Sequence, residues 1–231
     1  PCTMYSVLLE HGKIPDPFYG LNERELRHLG EKDCAFEAAF QLDAAALERD
    51  YAELVFYGLD TLCTVTLNGV RLAKTKNMHR TYRFSVKEQL RPGRNTLRLA
   101  FSSPVRYFTQ EQRRHYLYMN DGDTIPGTAH LLTAMYESGW DWGPTLPDMG
   151  IFRPIELNCF DTGRLNRVLV SQRHLENAVE VTVRAEALCG FPYEIYVSLD
   201  GQRVRLENGE GVIRVEHPRL WWVRGYGEQP L

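Results

Sequence analysis

The chain has 231 residues, of which 43% are apolar and 25% charged, and its formal net charge is -3. This composition is typical of a globular protein of one or two domains, and the slight acidic excess argues against a broad nucleic-acid-binding surface. No apolar run approaches the roughly 20 residues that span a bilayer, so a membrane-spanning helix is excluded. Because the chain begins with Pro1 rather than Met, we expect it to be a piece of a longer protein.

The first thirty residues predict short helices and loops. Met4 to His11 is apolar at helical spacing and is followed by Gly12, a residue that often ends a helix. The segment 21–29 allows another turn or two before Gly30.

From residue 34 the apolar period changes to two, which predicts β-strands. The strands expected in this block lie at 34–42, 51–59, 61–67, 81–86, 96–101 and 152–160. A short helical turn with Asp43 as its N-cap separates the first two. Asn68-Gly69 predicts a tight hairpin, because a type I′ turn requires two positive φ angles.

Between residues 102 and 150 the strand pattern breaks off. A loop of this length is usually functional or disordered, and its aromatic content argues against disorder. Within it, Asn120-Asp-Gly-Asp123 is similar to the start of a calcium loop but lacks the later ligands, so we expect a plain turn.

Residues 161–163, Asp-Thr-Gly, predict a domain boundary, because strand alternation restarts after them. The strands expected beyond it lie at 164–172, 178–187, 193–199, 202–206 and 212–215, with a second hairpin at Asp200-Gly201. The sequence therefore predicts an all-β protein with two sandwiches in series, over residues 1–161 and 162–231.

The five cysteines are an odd number, lie far apart and include no C-x-x-C pair, so a zinc knuckle has no support. Most of them fall in apolar runs, and we expect buried, reduced thiols. This favours a reducing compartment, and we expect a cytoplasmic, bacterial protein. The sequence holds no G-x-S-x-G, phosphate-binding glycine loop or H-E-x-x-H, so we expect no catalytic residue, metal site or cofactor.

Gly139-Trp-Asp-Trp-Gly-Pro144 is the most informative segment. Indole rings stack on the apolar faces of sugars, and a carboxylate accepts hydrogen bonds from neighbouring hydroxyls. Trp140, Asp141 and Trp142 could therefore bind a sugar. They could equally form a tryptophan pair in the core, with the carboxylate capping nearby backbone N–H groups, and the residues alone leave both interpretations open.

Two other clusters have weaker functional interpretations. Leu220-Trp-Trp222 is expected to be a packing patch in the core or between domains. Asn77-Met-His-Arg80 gathers polar side chains before a strand. Asn77 and His79 are expected to serve structural hydrogen bonding or, alternatively, to face a binding site.

Taken together, these segments give the chain a resemblance that runs nearly from end to end. The chain resembles the N-terminal part of β-mannosidases of glycoside hydrolase family 2. The resemblance is carried by Ile14-Pro-Asp-Pro-Phe-Tyr19, Asn22-Glu23, Gly58-Leu-Asp-Thr61, Leu67-Asn-Gly69, Asn77-Met-His-Arg80, Gly139-Trp-Asp-Trp-Gly-Pro144, Gly150-Ile151 with Pro154, Leu220-Trp-Trp222 and Gly225-Tyr-Gly-Glu-Gln-Pro-Leu231. The Trp-Asp-Trp run in this order with the others is highly specific.

The resemblance implies a galactose-binding-like jelly roll followed by a partial immunoglobulin-like sandwich. It implies that a (β/α)₈ barrel, absent from this chain, follows and supplies the two catalytic glutamates of a retaining exo-β-mannosidase. The partners implied are terminal β-mannosides and that barrel. Asp141 would hydrogen-bond the mannose hydroxyls, Trp140 would wall the pocket, and Trp142, Asn77 and His79 would complete the subsite.

The chain departs from the family pattern at several places. Leu132 and Thr133 occupy positions where members commonly carry Arg-Lys, Met135 a position where Gln or His is usual, and Gly20 one where Arg is frequent. A change of substrate preference or activity in the whole protein is therefore a further expectation. Two rival hypotheses are a free-standing carbohydrate-binding module and the same region of a β-glucuronidase or β-galactosidase.

Overall fold

The computed structural model describes residues 2–118, 125–139 and 143–230. Strands dominate it, and they group into two compact units, which divide between residues 160 and 161. The predicted boundary, between residues 161 and 162, lies one residue further along the chain.

Each helix and strand has the following bounds. The helices are α1 (Met4–Glu10), α2 (Asn22–Leu26), α3 (Ala44–Leu47) and α4 (Pro104–Arg114), and short 3₁₀ turns cover Arg27–Glu31, Thr128–His130 and Met135–Glu137. The strands of the first unit are β1 (Cys2–Thr3), β2 (Cys34–Leu42), β3 (Tyr51–Phe56), β4 (Cys63–Leu67), β5 (Val70–Lys74), β6 (Tyr82–Ser85), β7 (Gly93–Phe101), β8 (Gly150–Ile151) and β9 (Ile155–Phe160). Those of the second unit are β10 (Arg164–His174), β11 (Ala178–Leu188), β12 (Tyr196–Leu199), β13 (Gln202–Arg205) and β14 (Glu210–Glu216).

The first unit is a β-sandwich with one apolar core. A four-stranded antiparallel sheet has the order β2-β7-β4-β5, and a three-stranded one has the order β6-β3-β9. Alternate residues of β4 point inward, as do Leu97, Leu99 and Phe101 of β7. They pack in one cluster with Leu54 and Phe56 of β3, so the two sheets share their core.

Both predicted hairpin turns are present. Asn68 and Gly69 have φ angles of 49° and 85° between β4 and β5, and Asp200 and Gly201 have 50° and 75° between β12 and β13. These positive angles are those that a type I′ turn demands.

The long segment after residue 101 contains a helix that the sequence interpretation missed. Ser103 caps α4 by accepting a hydrogen bond from the N–H of Arg106 at 3.0 Å, and Pro104 occupies the first turn. Phe108 is fully buried and anchors the helix to the first unit. The expectation of a loop over the whole of 102–150 was wrong here, because a serine–proline start and a single apolar anchor suffice for an eleven-residue helix.

The second unit has the five predicted strands in a three-stranded sheet of order β10-β11-β14 and a β12-β13 hairpin. Its core is small and consists of alternate valines of β11, namely Val179, Val181 and Val183. On β10, by contrast, Val168 and Val170 are 49% and 61% exposed. Among the described residues, no strand pairs with the outer edge of β10.

Two packing predictions need correction. Trp221 and Trp222 are more than half exposed, so the core alternative for the Leu220–Trp222 patch was wrong, while the alternative of a patch between domains stays a prediction. Of the thiols, only Cys63 is fully buried, and its burial raises the pKa to about 12. All five cysteines are free. In the described ranges, no helix is long and apolar enough to cross a membrane.

Candidate functional site

The residues on either side of the tryptophan–aspartate run pair with each other. Trp140, Asp141 and Trp142 lie outside the described residues, as does the Asn120–Asp123 turn. On either side of the run, Ser138 and Thr145 form an antiparallel bridge. The N–H of Gly143 donates to the carbonyl of Gly139 at 3.1 Å, and the N–H of Leu146 donates to the carbonyl of Glu137 at 3.0 Å. The two flanks therefore run side by side.

A cavity of about 700 Å³ lies beside these flanks, within the first unit. Rings and aliphatic side chains form most of its wall, and three carboxyl groups face it. Its lining includes Tyr5, Pro17, Phe18, Tyr136, Pro144, Leu146 and Phe152, with Asp60, Glu137 and Asp148 as the acidic members. This combination of apolar rings and polar groups is typical of binding sites.

Asp60 and Glu137 form a hydrogen-bonded pair at this cavity. The Thr133 hydroxyl donates to Oδ1 of Asp60 at 2.8 Å and lies 3.5 Å from Oε2 of Glu137. Burial raises the pKa of Asp60, and hydrogen bonds from Thr133 and Glu137 oppose this rise. Burial, and then the charge of Asp60, raise the pKa of Glu137. The pair therefore retains a proton above the pH at which free carboxyl groups ionise.

Asp148 is the third carboxyl group of this cavity. Its Oδ1 accepts hydrogen bonds from the N–H groups of Met149 at 2.8 Å and Tyr5 at 3.3 Å. Burial raises its pKa, and these hydrogen bonds act in the opposite direction. Asp148 thus ties the end of the flank to helix α1.

The structure brings Asn77 and His79 to the margin of the same region. Asn77 pairs with Leu132 in a parallel bridge, and its Oδ1 accepts the N–H of His79 at 2.9 Å. The Tyr82 hydroxyl donates to the Asn77 carbonyl at 3.1 Å. Between the two, Met78 is buried and lines the cavity. The Asn77 side chain therefore shapes the turn, while His79 is exposed.

The positions that depart from the family pattern are spread over different environments. Thr133 is buried against Asp60, whereas Leu132 is 59% exposed and uses its backbone to pair with residues 77 and 78. Met135 is half-buried in the 3₁₀ turn, and Gly20 lies in an open turn with a φ of 59°.

Sequence reasoning missed all three carboxyl groups as site residues. Asp60 stood in the quoted segment Gly58-Leu-Asp-Thr61, and Glu137 and Asp148 flank the tryptophan run. Lone acidic residues carry no signal of burial, so only their clustering in space singles them out.

Asp60 and Glu137 are not spaced as the carboxyl pair of a glycosidase. A retaining glycosidase needs two carboxyl groups about 5 to 5.5 Å apart with the sugar bond between them. Asp60 and Glu137 are hydrogen-bonded to each other, which leaves no room for a substrate between them. Across the described ranges, no group of histidine, cysteine, aspartate and glutamate side chains could hold a metal ion.

Comparisons with known proteins agree with one another. Residues 1–153 match the model of the glycosyl hydrolase 2 galactose-binding domain-like family. β-Mannosidase B of Thermothelomyces thermophilus is 32% identical over 246 residues, which cover 100% of this chain and 28% of the relative.

Among solved structures, this chain is likewise similar to part of a β-mannosidase. The β-D-mannosidase of Dictyoglomus thermophilum has a TM-score of 0.81 at 30% identity and covers 99% of this chain with 30% of its own. The exo-chitosanase of Amycolatopsis orientalis has a TM-score of 0.62 at 21% identity, over 97% of this chain and 26% of its own, and shows the shared fold alone. The chain thus spans less than a third of the length of these proteins.

Proposed function

Because this chain belongs to glycosyl hydrolase family 2, whose galactose-binding-like domain it contains, we propose that it is the non-catalytic N-terminal portion of a retaining exo-β-mannosidase. The whole protein would remove terminal β-D-mannose residues. The observation that carries the proposal is the match to β-mannosidases over the full length of this chain and under a third of theirs. The two catalytic glutamates would come from a (β/α)₈ barrel in the remaining length.

Within this proposal, residues 140–142 form part of the mannose subsite. Asp141 would accept hydrogen bonds from the sugar hydroxyls, and the rings of Trp140 and Trp142 would pack on its apolar faces. Two features support this role: the paired flanks of the segment and the cavity of rings and carboxyl groups beside them.

Asn77 and His79 would act at the edge of this subsite. The bridge between Asn77 and Leu132 supports their placement, since the chain runs from residue 132 directly into the flank at Glu137. Asn77 would fix the turn through its bond to the N–H of His79, and the exposed His79 would face the sugar. We also propose a reducing, cytoplasmic location, which the five free thiols support.

The test is the Asp141→Ala variant of the full-length protein, assayed with an aryl β-mannoside. Loss of a charged hydrogen bond to substrate should lower kcat/KM by about 1.5 to 3 kcal/mol, or roughly ten- to a hundredfold. Asp43→Ala is the matched control, because Asp43 is exposed and its side chain makes no capping hydrogen bond. A wild-type kcat/KM for Asp141→Ala would remove Asp141 from the subsite.

A panel of aryl glycosides on the same protein tests the substrate class. The proposal requires hydrolysis of the β-mannoside in preference to the β-glucuronide and the β-galactoside. Preference for either of the other two would assign this chain to a different enzyme of the family.

A further inference from the structure

Glu137 occupies the point at which the two flanks of residues 140–142 meet. Its carbonyl accepts the N–H of Leu146 at 3.0 Å, and the next residue pairs with Thr145. A displacement of Glu137 would therefore move both flanks together.

Asp60 is fixed to the sandwich through both its backbone and its side chain. It is only 3% exposed, and its backbone exchanges two hydrogen bonds with Gly150, at 2.9 and 2.8 Å. Its carboxylate accepts hydrogen bonds from the hydroxyls of Thr133 and Thr61. Asp60 is thus a rigid acceptor beside the flank that contains Glu137.

We propose that Asp60 and Glu137 share a single proton and act as a positioning pair, which fastens the flanks 137–139 and 143–146 to the sandwich. Two ionised carboxylates at hydrogen-bonding distance would repel each other, whereas one proton converts the repulsion into a strong hydrogen bond. The proton resides on Glu137, because the Asp60 carboxylate already accepts hydrogen bonds from two hydroxyls. Only the expected effect on substrate turnover rests on the proposed function; the shared proton itself does not.

Thr133 explains why a proton is needed here. Its hydroxyl, which donates to Asp60 at 2.8 Å, carries no charge and so cannot compensate two neighbouring carboxylates. A proton shared with Glu137 removes one of the two negative charges.

The pair makes the flanks sensitive to pH, with a defined sign. The folded state binds a proton on Glu137 that the unfolded state loses near the usual pKa of 4.5. This stabilisation is complete below that pH and is lost progressively as the pH rises through neutrality. Among the described residues, the other titratable groups that face the pair are Asp148, His79 and Tyr136. All three are retained in the variants below.

Hydrogen exchange of this chain between pH 5 and 9 measures the effect, after correction for the intrinsic exchange rate. In the wild type, protection of the N–H groups of Gly143 and Leu146 should fall with rising pH, by up to about tenfold per pH unit. Glu137→Gln keeps a hydrogen-bond donor that cannot ionise, so its protection should stay level. Glu88→Gln, at an exposed glutamate of the same unit, is the control and should follow the wild type.

Thr133→Lys is the second variant, and it tests the proposal if Glu137→Gln does not fold. A lysine ammonium beside Asp60 would replace the shared proton, so the dependence on pH should flatten here too. Equal pH dependence of the wild type and of the variant that folds would overturn the proposal.

The role in catalysis is tested separately in the full-length protein. Glu137→Gln should shift the alkaline side of the kcat/KM profile for an aryl β-mannoside, and a profile identical to that of the wild type would refute a role in positioning. If the wild-type protein cleaves no β-mannoside, the proposed function fails, while hydrogen exchange still tests the pair itself.

Discussion

At the scale of single residues, Thr133 shows how one side chain changes the chemistry of a buried acid. Its hydroxyl donates to Asp60 at a distance of 2.8 Å, and it also lies 3.5 Å from Met78 Sδ. Sequence comparison with the family pattern identified position 133 as unusual. It could not show that the position faces a carboxylate, because Asp60 lies 73 residues earlier in the chain.

Thr133→Val should destabilise the first unit by about 1.5 to 3 kcal/mol, because it removes a hydrogen bond to a buried charge without changing the side-chain volume. Urea unfolding at neutral pH measures the change. Thr133→Ser keeps the hydroxyl and should recover most of the loss. A wild-type free energy of unfolding for Thr133→Val would contradict a stabilising role of this hydrogen bond.

At the scale of elements, the strands were predictable and the long connection was not. Alternation from residue 34 gave strands whose centres match β2, β3, β4 and β9, and the Asn68-Gly69 turn set one register. Helix α4 escaped prediction because most of its surface is polar, and only Pro104 and Phe108 are buried. For the site, the sequence singled out the tryptophan run. It could not predict the clustering of Asp60, Glu137 and Asp148, because contacts between distant segments bring these residues together.

The start of α4 offers a direct test of its stability. Ser103 is buried; its Oγ accepts from the Arg106 N–H at 3.0 Å and donates to the Gly30 carbonyl at 2.7 Å. Ser103→Ala should therefore lower the free energy of unfolding by about 1 to 2 kcal/mol, as measured by denaturant midpoint. Ser102→Ala, at the exposed neighbouring serine, should have little effect. A loss of similar size in both variants would contradict the capping role.

At the scale of the whole molecule, this chain corresponds to less than a third of the length of its relatives. Its described residues include a cavity beside the paired flanks, where Asp60 and Glu137 are hydrogen-bonded to each other and not spaced for glycoside cleavage. The all-β class and the family were predictable from strand periodicity and motif order. The predicted immunoglobulin-like character of residues 162–231 stays a prediction.

Calorimetric titration of this chain with mannose should give no measurable binding, because the proposed subsite takes most of its wall from the barrel. A full-length protein carrying a substitution at its catalytic nucleophile is the positive control, and it should bind. Saturable heat with this chain alone would favour a free-standing carbohydrate-binding module.

Strand β10 has a practical consequence for work with the isolated chain. Its valines at 168 and 170 face solvent, and no described strand covers its outer edge. Such an edge is a template onto which a second polypeptide can add its own strand. Handled alone, the chain would self-associate through β10, so dilute samples, or a lysine at position 170, should keep it monomeric for the measurements above.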